Sequence, residues 1–179
     1  MGATRQTYRY IGPPDLRGLV RPGCGGTPVR THADFARWVS EQTAEDLAEP
    51  FTYVVDTAGV LRLAPRRSEH VVCAEGEDVL GAGEVGFLVL DGSWAVGDVS
   101  NQSTGYCPDT ASWPRVAEAL DRVGIIRPAG FTHPVVFRRC TACRELNIVR
   151  DGDFACVFCD APLPRDWNAG DGRADGPGA

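Results

Sequence analysis

The sequence contains no lysine: all 18 of its basic residues are arginine, set against 24 acidic ones. Such a complete loss of one residue type reflects codon usage rather than chemistry and points to a high-GC bacterial genome. The net charge of −6 argues against a protein that grips nucleic acid through bulk positive charge. No apolar run reaches the roughly 18 residues that a membrane-spanning helix needs, so no membrane partner is expected. The stretch Met1 to Tyr10 lacks the apolar core of a secretory signal. A cytoplasmic chain is the expectation, and its seven cysteines then bind metal or stay free rather than pair.

What remains is ordinary globular composition, 43% hydrophobic and 23% charged over 179 residues. It excludes a collagen-like repeat, a coiled coil and a long disordered chain. The length suggests one domain, or one domain with a small appendage.

The Gly/Pro-rich segment from Ile11 to Pro28 reads as an irregular loop. Thr31 and Asp34 have capping-box spacing. Phe35, Trp38 and Val39 follow at helical intervals, predicting a helix from His32 to Leu47, ended by Glu49-Pro50. Phe51–Asp56 and Val60–Leu63 read as a hairpin around Thr57-Ala58-Gly59. The polar run Arg66 to His70 leads into an apolar Val71–Ala74, expected as a strand. Val85–Leu90 and Trp94–Val99 flank Asp91-Gly92, a dipeptide suited to a turn needing positive φ twice. After the polar stretch Ser100–Pro108, Asp109 or Thr110 caps a second helix. Pro114 falls in its first turn, and Gly124 lies at its end. The predicted class is α+β: a mainly antiparallel sheet with two main helices, followed by a small metal-binding subdomain. The expected organisation is residues 1–130, then 131–167, then a disordered tail over 168–179.

Cys140-Thr-Ala-Cys143 and Cys156-Val-Phe-Cys159 are two C-x2-C pairs separated by twelve residues. Each pair can place two thiolates on one side of an ion, and together they complete a tetrahedral shell. Between them, Leu146–Val149 reads as a strand, Asp151-Gly152 as a turn and Phe154-Ala155 as the returning strand. A redox role would need a βαβ context, which is absent, and the spacing favours zinc over an iron–sulfur cluster. The segment from Phe137 to about Pro164 resembles a zinc ribbon. The resemblance implies a structural Zn²⁺ held by Cys140, Cys143, Cys156 and Cys159. Four protein ligands leave no open position for catalysis. Binding would supply folding energy on the order of 10 kcal/mol to this segment. Residues 131–167 carry five arginines and five acidic residues, so nucleic-acid binding by this segment is not expected and another protein is the expected partner. Arg138, Arg139 and Arg144, beside the first pair, are expected to offset thiolate charge.

In the larger domain, Arg66–His70 and Asn101–Pro108 interrupt apolar segments, with Gly81-Ala82-Gly83-Glu84 between them. His70, Glu84 and Tyr106 are candidate acid–base residues if they converge. Arg67, Asn101, Ser103 and Thr104 are candidate binding residues. Cys107 is a nucleophile only if a neighbour lowers its pKa. The bland alternatives stay open: His70 as a backbone-satisfying side chain, Ser103-Thr104-Gly105 as a turn, and Cys24, Cys73 and Cys107 as small buried apolar groups.

The order His70, Gly81-Ala82-Gly83, then Ser103-Thr104-Gly105-Tyr106-Cys107-Pro108 resembles a module of plant IQ-motif calmodulin-binding proteins and of some bacterial toxin C-termini. His70 is not followed by Ser here, the loop histidine of that module is missing, and there is no IQ motif. The resemblance therefore implies shared architecture and neither a reaction nor calmodulin binding. Arg9 and Glu84 are similar to the Arg and late Glu of ADP-ribosyltransferases, without the motif between them. The sequence supports a zinc-binding interaction or regulatory protein with a polar groove. Alternatives are an enzyme, transferase or hydrolase, using His70, Glu84 and Tyr106, and a nucleic-acid-binding ribbon protein.

Overall fold

The computed structural model describes residues 6–170. Five strands form one antiparallel sheet: β1 (Thr27–Val29), β2 (Phe51–Asp56), β3 (Leu61–Ala64), β4 (Val79–Leu90) and β5 (Ser93–Val99), in the order β1-β3-β2-β4-β5. The helices are α1 (Pro14–Arg17), α2 (His32–Ser40), α3 (Ala44–Leu47), α4 (His70–Cys73) and α5 (Trp113–Val123). A second hairpin, β6 (Val136–Arg139) with β7 (Leu146–Val149), stands apart from the main sheet. The architecture is α+β, as the order of sequence signals implies. Among the described residues no helix is long and apolar enough to cross a membrane.

Period-two alternation sorts the side chains of β2 between two faces. Phe51, Tyr53 and Val55 join the larger core under α2 and α5, with Trp38, Val116, Leu120 and Val123. Val54 faces a second, smaller core with Tyr8, Val71, Ala82 and Tyr106. Both faces are covered, so β2 is nearly continuously buried. The Asp91-Gly92 turn takes positive φ at both positions, 51° and 78°, and joins β4 to β5. Gly124 ends α5 in the left-handed region, and Pro114 lies in that helix's first turn.

Three local expectations are corrected. The predicted helix His32–Leu47 is two helices, because Thr43 with Asp46 forms a second capping box after the Thr31–Asp34 one. The segment entered at His70 is one turn of helix, not a strand: Val71 and Cys73 face the small core while Val72 is only partly covered. The Gly/Pro-rich segment contains α1 and ends in β1, whose register opposite β3 aligns Val29 with Leu61.

The β6–β7 hairpin also differs from expectation. β7 pairs with β6, which precedes the first cysteine pair. Phe154-Ala155 does not return along β7. A tight turn with Asp151 and Gly152 at positive φ links Arg150 to Asp153, and Ala155 bridges Pro162 instead. A seam of small contacts joins this unit to the sheet domain: Phe137, Ala169 and Cys107 are buried together, with Ile11 and Trp167 beside them. Asn168 and Ala169, placed in the expected tail, are part of this seam; the side chain of Asn168 bonds both the N–H and the C=O of Arg139. The rest of that tail, 171–179, lies outside the described residues.

Candidate metal centre

The backbone builds the same knuckle twice. In the first, the Arg144 N–H donates to the Cys140 carbonyl (3.0 Å), and the Cys140 N–H to the Glu145 carbonyl (2.9 Å). In the second, the Asp160 N–H donates to Cys156 and the Cys156 N–H to Ala161, both at 2.9 Å. Arg144 and Asp160, each directly after its pair, take positive φ, 66° and 59°. That left-handed residue folds the chain back so that both sulfurs of a pair face one point.

The two knuckles face each other. All four sulfurs lie within 4.8 Å of one another, with Cys140 to Cys159 at 3.7 Å and Cys143 to Cys156 at 3.6 Å. A tetrahedral ion with bonds of about 2.3 Å to sulfur places its ligands roughly 3.8 Å apart. The geometry can hold one metal ion.

Hydrogen bonds to sulfur follow the same twofold pattern. The N–H groups of Cys143 and Ala142 point at the Cys140 sulfur and lower its pKa. At Cys156 burial raises the pKa, but the N–H groups of Phe158 and Cys159 and the Asn147 amide outweigh it, leaving it at about 6. The N–H groups aimed at these sulfurs favour the charged form that metal requires. Asn147 is the residue that sequence reasoning missed. It is buried on β7, its amide nitrogen lies 3.5 Å from the Cys156 sulfur, and its oxygen accepts the Val157 N–H at 3.0 Å. The available signal was a lone amide within Leu146-Asn147-Ile148-Val149.

The nearby arginines hold chain segments together. Arg138 donates to the carbonyls of Phe137, Pro164 and Arg165 and packs on Phe154. Arg139 reaches the carbonyls of Arg144 and Ala169.

The polar candidates of the sheet domain are placed as follows. His70 opens α4 and bonds the Gly83 carbonyl through Nε2 at 2.9 Å. Burial lowers its pKa, and the Gly83 bond opposes that shift. Tyr106 is buried; its hydroxyl donates to the Glu77 carbonyl at 2.7 Å, and burial raises its pKa. Glu84 is half-buried and lines a groove of about 390 Å³. Tyr106 lines a different cleft, with Arg9 and Trp167, and His70 lines neither. Arg9 and Glu84 likewise sit in separate cavities.

Asn101 is fully buried. Its amide donates to the carbonyls of Pro108 and Val135, and its oxygen accepts the Val135 N–H at 2.7 Å. Ser103 closes its own loop, accepting the Tyr106 N–H on its hydroxyl and the Cys107 N–H on its carbonyl. Thr104 is exposed and its carbonyl receives the Cys107 thiol; Arg67 is exposed. Cys73 and Cys107 are buried, and burial raises both pKa values to about 12. These thiols are held neutral.

No protein-family model, curated protein or solved structure matches the chain.

Proposed function

We propose that the chain is a zinc-binding interaction protein: a structural four-cysteine zinc ribbon, fixed to an α+β domain, that presents its second knuckle to another protein. The convergence of Cys140, Cys143, Cys156 and Cys159 carries the reading. Four thiolates suit Zn²⁺, and a closed shell gives the ion a folding role rather than a catalytic one.

The partner surface is argued from exposure. Val157 and Phe158, inside the second C-x2-C pair, are 74% and 63% exposed. Two adjacent large apolar groups exposed to solvent beside the four-cysteine cluster support a contact site there.

Elemental analysis of purified protein is expected to find one zinc per chain, and absence of bound metal overturns the reading. Affinity capture compared between the wild type and a V157S/F158S variant tests the surface. The variant is expected to keep its metal and its melting temperature and to lose a partner that the wild type retains. Identical capture by both removes the knuckle from the interaction.

A further inference from the structure

We propose that the groove on the open part of the sheet's second face binds a basic peptide segment, with an arginine or lysine seated between Glu84 and Asp98. The proposal rests on the interaction-protein reading, but uses a surface remote in sequence from the metal ligands.

Strand register sets the geometry. The Ser100 N–H donates to the Glu84 carbonyl at 2.9 Å, and Gly86 pairs with Asp98. Glu84, Gly86, Asp98 and Ser100 therefore share one face, and all four line the groove. No described residue pairs with the Glu84 carboxylate. Asp98 has the His133 ring at 3.7 Å. Glu49, also on the groove wall, is engaged by Arg66 at 3.1 Å. Glu84 and Asp98 thus face the groove without a guanidinium from the described residues.

A further observation points to a ligand. Ser100 is only 6% exposed, and its oxygen accepts the N–H groups of Glu84 and Gln102. Its own proton has no acceptor among the described residues, and a buried donor left unspent is unfavourable. A ligand carbonyl in the groove would take it. Gly86 sits in a strand at ordinary φ, and a Cβ there would meet nothing closer than Asp98 at 3.9 Å. The position lies at the register shift between β4 and β5, and a glycine there leaves the groove floor open to another backbone.

The occupant follows from these groups. A basic residue within a peptide brings a cation for Glu84 and Asp98, a carbonyl for Ser100, and an apolar stem for Leu47, Pro50 and Leu88 along the walls. An inorganic cation or a polyamine uses the carboxylates alone.

Calorimetric titration of the intact protein with acetyl-Ala-Ala-Arg-Ala-Ala-amide tests this, with the Glu-for-Arg peptide and spermidine as comparisons. Saturable binding of the Arg peptide is expected, and none of the Glu peptide. E84Q and G86A should each weaken binding at least about tenfold with metal content and melting temperature unchanged. F158S should bind the peptide normally. A failed titration therefore leaves the ribbon-tip reading standing, and an inert ribbon tip leaves the groove standing. No saturation by about 10 mM peptide, wild-type binding by G86A, or equally tight spermidine binding would each overturn the proposal.

Discussion

The indole N–H of Trp167 donates to the carbonyl of Cys107 at 2.9 Å, across 60 residues of sequence. Its ring also meets Tyr8 edge-on, with centroids 5.3 Å apart. One side chain thus ties the end of the four-cysteine unit to the loop before α5 and to the first described segment. Trp167→Ala should cost roughly 2–3 kcal/mol, below the range for a fully buried Trp because this one is only half-covered. Metal content should stay at one ion per chain, since no ligand depends on the indole. Differential scanning calorimetry reads the first effect and elemental analysis the second. Concurrent loss of the metal would show the ribbon to depend on its docking.

Asn101 joins the same two parts through three hydrogen bonds made by one buried amide. Asn101→Ala strands the Val135 N–H and the carbonyls of Pro108 and Val135, at about 1–3 kcal/mol for each buried group left unpaired. A loss of about 3 kcal/mol is expected, lowering Tm by roughly 6–12 °C for a chain of this size. Asn101→Asp should be worse than its small volume change suggests, because it puts an acceptor against two carbonyls.

Asn147 supports the Cys156 sulfur and the following turn without being a ligand. Asn147→Ala should weaken metal affinity roughly 10–100-fold, the usual range for an outer-shell partner. Competition with a chromophoric chelator measures it. A Cys156→Ser variant in the same assay should bind far more weakly than Asn147→Ala. Equal affinities in wild type and Asn147→Ala would reduce that amide to a purely structural role.

Burial holds the His70 ring below its ordinary value of 6.5. Between its folded and unfolded pKa values, the unfolded chain binds a proton that the folded chain does not. Stability from this source is fully present above pH 6.5 and falls as pH drops below it. His70→Asn keeps a donor for the Gly83 carbonyl but cannot titrate. Its stability curve should therefore be flatter than that of wild type below pH 6.5, which chemical denaturation across that range reads directly. Parallel curves would remove His70 as a source of the pH dependence.

Most of the regular structure was legible because its signals are local. Asp91-Gly92 specifies its turn through the φ values it tolerates, and the Thr31–Asp34 box starts α2 where expected. The break inside the predicted His32–Leu47 helix was equally local, in Thr43 and Asp46, but helical periodicity masked it. Val71–Ala74 misled because a short apolar run has no period, and only burial against the small core makes it helical. At the candidate metal centre, spacing named all four cysteines, since a knuckle is built within a few residues. It did not name the partner of β7, because pairing with β6 rather than with Phe154-Ala155 is a choice between long-range alternatives.

The sequence alone determined the four-cysteine set, the turns and the helix boundaries set by caps, all matters of contact within a few residues. Tertiary structure alone decided that His70, Glu84 and Tyr106 line no common cavity, that Trp167 and Asn101 form the seam, and that Glu84 shares a groove with Asp98 and Ser100. Those relationships join residues far apart along the chain. They are set by strand register and by which side chains the two cores can bury, and no short pattern of residues encodes either.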